Sequence, residues 1–305
     1  NVIGIDNLNT YYSLSLKLKR LDLINELELN SNKWKFEKIS IDSMNHLDQI
    51  FEKYYPKVVI NFAAQAGVRY SLINPQAYIQ SNLVGFSNIL ECCRRFNVEN
   101  LIYASSSSVY GSNKKLPFKE SDLTGHPISL YAATKRSNEL LAHSYSNLYG
   151  INTIGLRFFT VYGPWGRPDM APMIFAKSIL EGDYINIFNN GEMDRDFTYI
   201  DDVVEIISRC IKKRVTSNRD SNFLNSDPSE SFAPYKILNV GNGHPIKLMG
   251  FIEYLEKYIG IKAKKRFMDL QPGDVISTHS DTSKIQDWIG GHKMTSFDVG
   301  IKNFV

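Results

Sequence analysis

The 305-residue sequence has few cysteines, and none of them stands at the spacing of a metal ligand pair. Its three cysteines, Cys92, Cys93 and Cys210, are an odd number. Such a set argues against a disulfide scaffold or a zinc site and predicts buried thiols in a reducing compartment. The six histidines are scattered along the chain. We therefore predict no bound metal.

The sequence also lacks an apolar run of about 20 residues, the length that a membrane helix needs. Its first residues lack the basic and apolar regions of a signal peptide. Neither sign of charge is in excess, because 35 basic residues stand against 32 acidic residues. A balanced charge gives no reason to expect nucleic acid or an anionic membrane as a partner. We predict a cytoplasmic protein.

Short apolar strands alternate with longer amphipathic segments in the first half of the chain. Predicted strands cover 34–40, 58–63, 101–106 and 152–159, and predicted helices cover 13–29, 43–54, 75–95 and 129–148. This alternation predicts an α/β fold with a doubly wound parallel sheet of the Rossmann type. After residue 160 the pattern becomes irregular and rich in loops. We therefore predict a dinucleotide-binding domain at 1–162, a smaller substrate domain at 163–305 and a surface loop at 212–234.

Three predicted strands end in residues suited to a ligand, and ligands of open parallel sheets lie beyond the carboxyl ends of the strands. NVIGID ends on Asp6, which suits a ribose-binding acid or an exposed loop acid. VVIN runs into small residues from Ala63 to Gly67, which favour either close approach of a ligand or a tight turn. The third strand ends in four serines, Ser105 to Ser108.

Tyr131 and Lys135 are the strongest candidates for catalysis, because they stand four apart and thus on one face of a predicted helix. This spacing alone is common, but the preceding strand ends in serines. A lysine ammonium lowers the pKa of a nearby phenol, which predicts Tyr131 as a general base near neutral pH. A serine hydroxyl is suited to bind the same substrate oxygen. Together these groups can remove a hydroxyl proton while hydride leaves the carbon that bears it.

These motifs resemble the nucleotide-sugar epimerases of the extended short-chain dehydrogenase/reductase family. The matching segments follow the family's order over almost the whole chain: GIDNLN, AAQAGVRYS, ASSSSVYG, SLYAATKRS, LRFFTVYGPWGRPDMAP, RDFTYIDDV and LQPGDV. The resemblance implies NAD as the cofactor and Ser106, Tyr131 and Lys135 as the catalytic residues. Besides Tyr131 and Lys135, the cofactor contacts that it implies are Asp6, Asn9, Asp42, Ala63 and Ala64. Asn61 departs from the pattern, since relatives commonly carry His there.

The carboxyl-terminal half supplies candidates for binding a sugar nucleotide. Arg167 and Arg195 are suited to bidentate binding of diphosphate or sugar anions, or to surface ion pairs. Phe188 is suited to stacking on uracil or to core packing. Asp274 resembles the family's contact to the nucleoside ribose, although an acid there can also cap a helix.

The fate of the 4-keto sugar formed by oxidation at C4 decides which reaction results. Family members that are 4,6-dehydratases have Asp and Glu where this chain has Ser107 and Ser108, so elimination is disfavoured. The motifs look most like those of UDP-glucuronate 4-epimerases, which make UDP-galacturonate for surface polysaccharides. Ser107, Ser108 and Thr160 are then candidates to hold the C5 carboxylate of a β-keto acid that is prone to lose CO₂. A UDP-glucuronate decarboxylase, a UDP-N-acetylglucosamine 4-epimerase and a non-catalytic sugar-nucleotide sensor stay open as alternatives.

The resemblance also bears on the ends of the chain and on its assembly. NVIGID resembles the second strand of the family's first βαβ unit, so we expect a strand, a glycine loop and a helix before Asn1. In that case the chain is a fragment that binds NAD poorly and is inactive alone. The resemblance implies a homodimer through helices 75–95 and 129–148. Its interface candidates, which could equally be ordinary core residues, are Leu83, Phe86, Leu90, Leu140 and Leu141.

Overall fold

The computed structural model describes residues 1–28, 33–217, 227–271 and 273–305. Its strands are β1 (Val2–Asp6), β2 (Trp34–Lys38), β3 (Val58–Asn61), β4 (Asn100–Ser106), β5 (Thr153–Phe158), β6 (Thr160–Tyr162), β7 (Tyr184–Ile187), β8 (Asp194–Arg195), β9 (Phe197–Tyr199), β10 (Tyr235–Val240), β11 (Ile246–Lys247) and β12 (Lys264–Phe267). Its α-helices are α1 (Leu14–Glu28), α2 (Met44–Tyr54), α3 (Tyr70–Ile73), α4 (Pro75–Tyr78), α5 (Gly85–Arg95), α6 (Leu130–Tyr149), α7 (Ala171–Glu181), α8 (Ile200–Ile211), α9 (Leu248–Ile259), α10 (Ser283–Ile289) and α11 (Phe297–Phe304). None of these helices is long and apolar enough to cross a membrane.

A four-stranded parallel sheet in the order β10, β5, β4, β3 forms the centre of the fold. β1 and β2 pair in parallel as a separate two-stranded sheet. Consecutive parallel strands need a crossover connection, and helices supply it here. The prediction of an α/β doubly wound fold is confirmed, and β2 to β5 begin and end within a few residues of the predicted bounds.

The side chains of β4 explain why helices cover both faces of this sheet. Leu101 and Tyr103 lie in one hydrophobic cluster with residues of α2, α5 and α6, and Ile102 lies in another with residues of α8 and α10. Successive strand residues point to opposite faces, so a strand covered on both sides must be apolar throughout its buried length. All three side chains are fully buried.

A second core lies in the carboxyl-terminal half, between α7, α9 and α11 and the short strands β6, β7 and β9. Phe197 and Phe251 stack there with ring centroids 4.7 Å apart. The residues after 163 do not all belong to this second core. β10 pairs with β5, and α8 packs on the central sheet. The domain boundary at 162/163 stays a prediction.

The predicted surface loop at 212–234 is only partly described, since residues 218–226 lie outside the described residues. Its last part returns to the core, where Ser229 and Ala233 are fully buried. Position 29 of the first predicted helix also lies outside the described residues.

The predicted helix at 75–95 is interrupted in the structure. Pro75 begins α4 behind Asn74, whose side chain caps Ala77 N, and Ile79–Val84 then form π-helical turns before α5. The wider turn leaves the Asn82 side chain inside the protein, where it bonds to Gln65 and Thr134. These bonds fix the loop that comes after β3 against α6.

Candidate active site

Ser106, Tyr131 and Lys135 meet where β4 ends and α6 begins. Ser106 is the last residue of β4, and Ser129 caps α6 by accepting a hydrogen bond from Ala132 N at 3.1 Å. The Ser106 hydroxyl lies close enough to the Tyr131 phenol to lower its pKa. Lys135 Nζ donates to the Ala104 carbonyl at 2.9 Å. The structure thus brings the three predicted catalytic residues together.

The serine run forms a tight turn beside this trio. Ser106 Oγ accepts a hydrogen bond from Ser108 N at 3.2 Å and lies 3.1 Å from Ser108 Oγ. Ser107–Tyr110 form a 3₁₀ turn directly after β4. Ser106 is buried, while Ser107 and Ser108 are half-buried. The turn therefore holds the Ser106 and Ser108 hydroxyls close together at the end of β4.

The protonation of Tyr131 differs from the prediction. Burial raises the pKa of the Tyr131 phenol above its ordinary value, and the nearby Ser106 hydroxyl and the charge of Arg167 only partly offset this. Burial also lowers the pKa of Lys135 to about 8. The prediction that Lys135 lowers the pKa of Tyr131 is wrong for this state, because the ammonium is directed to Ala104 O and the cation acting on Tyr131 is Arg167.

The residues predicted for the cofactor lie at the carboxyl ends of β1, β2 and β3. Asp6 ends β1, and its Oδ1 accepts from Leu8 N at 2.6 Å and lies 3.8 Å from Lys17 Nζ. Asn9 Oδ1 accepts from Lys17 Nζ at 3.0 Å. Asp42 comes shortly after β2.

These groups fit the adenosine part of a dinucleotide. The Asp6 side chain is 52% exposed, so its carboxylate is accessible to ribose hydroxyls. Ala63 is exposed and Ala64 half-buried just beyond β3, where methyl side chains leave the backbone open to a ligand. The contacts of these residues with NAD stay predictions.

The predicted nucleotide-sugar residues of the carboxyl-terminal half converge on the segment 274–276. Arg195 donates to the carbonyls of Val275 at 2.7 Å and Ile276 at 3.0 Å. Burial lowers the pKa of Arg195, and the nearby Asp274 opposes that shift. Sequence reasoning missed Arg69, although it stands in the AAQAGVRYS motif: it donates to Asp274 Oδ2 at 2.8 Å.

Phe188 lies at the same place, in a turn after β7. The Arg69 guanidinium stands 4.5 Å from the centroid of its ring. The ring is half-buried and packs at the edge of the second core. Stacking of uracil on it stays a prediction.

Arg167 lies near enough to the trio for its charge to lower the pKa of the Tyr131 phenol. Arg167 Nη2 donates to Asp169 Oδ2 at 3.2 Å, and Tyr11 OH donates to the same oxygen at 3.0 Å. Burial and Asp169 raise the pKa of Tyr11 to about 12. Thr160 begins β6 opposite Phe197. Tyr11 and Asp169, which sequence reasoning also missed, thus link the loop after β1 to the loop that carries Arg167.

Within the described ranges, no group of three or more His, Cys, Asp or Glu side chains is arranged to hold a metal ion. The reactive groups are instead a phenol, an ammonium and hydroxyls. Fold and site together define a Rossmann-type protein in which a serine, a tyrosine and a lysine meet at the carboxyl end of a parallel sheet.

Comparison with known proteins places this enzyme more narrowly. Residues 1–223 match the model of the NAD dependent epimerase/dehydratase family. The chain belongs to this family, which confirms the predicted resemblance and the dependence on NAD. Protein CapI of Staphylococcus aureus is 52% identical over 304 residues, covering 100% of this chain and 90% of CapI. A probable UDP-glucuronate 4-epimerase of Rhizobium meliloti is 42% identical over 305 residues, covering 100% of this chain and 88% of that protein.

A solved structure gives the same indication. UDP-glucuronic acid 4-epimerase from Bacillus cereus, in complex with UDP-glucuronic acid and NAD, superposes with a TM-score of 0.85 at 31% identity. The superposition covers 99% of this chain and 88% of that one. Fold and reaction class therefore agree with the sequence resemblance.

Proposed function

We propose that the protein interconverts UDP-glucuronate and UDP-galacturonate by epimerisation at C4. The observation that carries the proposal is the turn of hydroxyls, Ser106 to Ser108, held beside Tyr131 with Arg167 acting on the same phenol. This arrangement offers neutral donors and one cation to an acidic sugar, and it has no carboxylic acid where elimination would need one. The 41% to 42% identity with UDP-glucuronate 4-epimerases of plants and of Rhizobium meliloti supports the same substrate.

The proton chemistry rests on Tyr131. Burial raises the pKa of its phenol and the charge of Arg167 opposes that shift, so the proposal requires Tyr131 to act as a phenolate stabilised by the bound state. In that form it accepts the proton of the C4 hydroxyl, and the Ser106 hydroxyl hydrogen-bonds the same oxygen. Bound NAD would supply the acceptor for the hydride of C4. Tyr131 then gives its proton back to the C4 oxygen, so the cycle needs no net acid or base.

The acidic sugar sets a further requirement, because a 4-keto uronate is a β-keto acid and loses CO₂ easily. Ser107, Ser108 and Thr160 are suited to hold the C5 carboxylate while the keto sugar turns over between the two faces. Hydroxyl donors can bind a carboxylate and move with it through a small rotation. Arg167, Arg195, Asp274 and Phe188 are assigned to the UDP and sugar anions in this proposal.

Product analysis tests the proposal. The enzyme loaded with NAD is incubated with UDP-glucuronate, and the products are followed by proton NMR. We expect UDP-galacturonate, formed also in the reverse direction. UDP-xylose as the main product would instead indicate decarboxylation, and turnover of UDP-N-acetylglucosamine alone would remove the argument from the carboxylate. A protein that binds UDP-glucuronate without turnover would be a sensor.

A homodimer through α5 and α6 is part of the proposal. The prediction of an interface position is wrong for Phe86 and Leu90, because both are buried in the hydrophobic core of the same chain. Leu83 and Leu141 are half-buried, while Leu140 is 57% exposed on α6. Leu148 and Tyr149, near the end of α6, are 64% and 52% exposed. Sedimentation at micromolar concentration should show a dimer, and Leu140→Glu should dissociate it.

The place of the reaction in the cell is inferred from its product. UDP-galacturonate is an activated uronate, so we assign it to glycosyl transfer for surface polysaccharide. Sugar nucleotides and NAD are cytoplasmic substrates, and this favours a cytoplasmic enzyme. Cell fractionation with detection of the protein would test the location.

A further inference from the structure

A buried charge network lies directly behind the catalytic trio and takes no part in the proposed chemistry. Glu139 stands one helical turn after Lys135 on α6, on the same face as Tyr131. Its Oε1 accepts a hydrogen bond from Ser105 Oγ at 2.6 Å. Lys135 and Glu139 thus bind two consecutive residues of β4, Ala104 and Ser105, from one helix face.

Arg157 joins the network from the neighbouring strand, and Arg136 Nη1 also donates to Glu139 Oε2 at 2.7 Å. It lies opposite Ser105 in the pairing of β4 with β5. Its Nε donates to Glu139 Oε1 at 2.8 Å and its Nη2 to Oε2 at 3.0 Å, a bidentate pair. Both side chains are fully buried, with 0% of each exposed. Bidentate geometry fixes the direction of the carboxylate as well as its distance.

Arg157 also reaches the serine turn. Its guanidinium stands 4.9 Å from the ring centroid of Tyr110, the last residue of the 3₁₀ turn that begins at Ser107. Tyr110 OH donates to Asn239 Oδ1 at 2.6 Å, which holds the ring in place. One ion pair therefore contacts α6, the end of β4 and the end of the turn that carries Ser107 and Ser108.

A pair of buried charges is a costly way to fill a core. Replacing such a pair by apolar residues of similar volume is often neutral or stabilising, so stability alone does not account for it. Burial raises the pKa of Glu139, but Arg157, the Ser105 hydroxyl and the charge of Arg136 outweigh burial and hold this pKa below its ordinary value. The carboxylate thus keeps its charge, and with it the fixed direction of its hydrogen bonds, at any pH near neutral.

We propose that Glu139, held by Arg157, is a positioning residue that sets the end of β4 against α6 through Ser105. It thereby fixes the Ser106 hydroxyl relative to the Tyr131 phenol. Glu139 and Arg157 touch neither substrate nor cofactor in this role. The inference rests on the proposed function, because positioning is measured through the reaction that Tyr131 performs.

Ser105→Ala tests this inference without breaking the ion pair. The change removes the hydroxyl that links β4 to Glu139 but leaves Glu139 and Arg157 paired, so the fold should persist. A misplacement of about 1 Å can lower turnover about 10²-fold. We expect kcat to fall about 10- to 100-fold and KM for the UDP-sugar to stay within about twofold.

Ser229→Ala is the matched control. Ser229 is also fully buried, and its hydroxyl donates to the Asp227 carboxylate at 2.6 Å, but it lies outside the candidate site. Ser229→Ala should lose a similar amount of thermal stability while keeping the parent kcat. Equal losses of kcat in both variants, or a parent kcat in Ser105→Ala, would overturn the inference.

Hydrogen exchange gives a readout that does not depend on the substrate. Amide exchange measured by mass spectrometry should rise in peptides covering 100–110 and 130–149 in Ser105→Ala, and not in Ser229→Ala. If the parent protein fails to turn over UDP-glucuronate, the proposed function fails, yet the exchange data still decide the positioning role. Unchanged exchange in both segments would overturn it.

Discussion

Lys135→Met should abolish turnover without a large loss of stability near pH 7. Lys135 is 3% exposed, and burial lowers its pKa from 10.5 to about 8. At about 1.4 kcal/mol per pKa unit, this shift amounts to about 3 kcal/mol. The folded state therefore carries this cost of burying the ammonium at every pH below about 8. Between about pH 8 and 10.5 the unfolded chain binds the proton and the folded chain does not, so wild-type stability rises with pH.

Methionine has a similar length and no charge, so the variant does not carry this cost. It also loses the hydrogen bond to Ala104 O, which contributes about 1.5 to 3 kcal/mol for a charged donor. Near pH 7 we expect the variant to be within about 1 kcal/mol of the parent or more stable. The pH dependence is sharper: relative to Lys135→Met, the wild type should gain about 3 kcal/mol as pH rises from about 7 to 10.5. Turnover should be lost at every pH.

Urea unfolding at several pH values measures this difference. Lys177→Met serves as the control, because Lys177 is an exposed lysine on α7 and its replacement should change stability by less than about 0.5 kcal/mol at any of them. A free energy of unfolding that differs by the same amount between wild type and Lys135→Met at every pH would show that burial does not lower the pKa of Lys135. A Lys135→Met variant with parental kcat would remove it from the catalytic residues.

Three further predictions concern the general base, the binding of the cofactor and the loss of stability at low pH. Tyr131→Phe should fold and bind UDP with parental affinity in calorimetry but lose about 10²- to 10⁴-fold in kcat, and a rate above half the parental one would make Tyr131 structural. Asp6→Asn should weaken NAD binding and raise the ratio of NADP to NAD affinity by roughly tenfold, because the carboxylate repels a 2′-phosphate; an unchanged ratio in fluorescence titration would place Asp6 away from the ribose. Glu256→Gln should cost up to about 3 kcal/mol at neutral pH. Burial raises the pKa of Glu256, but hydrogen bonds from Lys262 and Lys265 outweigh it and lower the pKa to about 2. This stability is present above the ordinary pKa and is lost as pH falls toward 2, so the unfolding curves of the two proteins should converge there, and a constant gap would contradict the assignment.

The central sheet and the meeting of Ser106, Tyr131 and Lys135 were predictable because they have local signatures. Alternating apolar strands and amphipathic helices specify layers, and a tyrosine four residues before a lysine shares a helix face whatever the rest of the fold does. The domain that a residue belongs to was harder to assign. β10 joins the central sheet from a distant part of the chain, and such pairing leaves no mark in the local pattern.

The network behind the site shows where sequence reasoning fell short. Arg157 stands in the apolar segment NTIGLRFF, and a charge in a buried strand requires a buried partner. That signal was present in the sequence, but it did not identify Glu139, which lies on another element. The prediction that Phe86 and Leu90 lie in a dimer interface was wrong for a related reason. Apolar periodicity shows that a helix face is buried, but it does not show whether the core or a second subunit covers that face.

The path of the hydrogen at C4 tests the account most directly. UDP-glucuronate carrying deuterium at C4 is turned over by the NAD-loaded enzyme, and the UDP-galacturonate formed is analysed by NMR and mass spectrometry. If hydride leaves C4 and returns to C4 after the keto sugar turns, the product keeps the deuterium at C4, and unlabelled substrate in deuterated water gains none. Deuterium lost to the solvent, or found at another carbon of the sugar, would contradict the account.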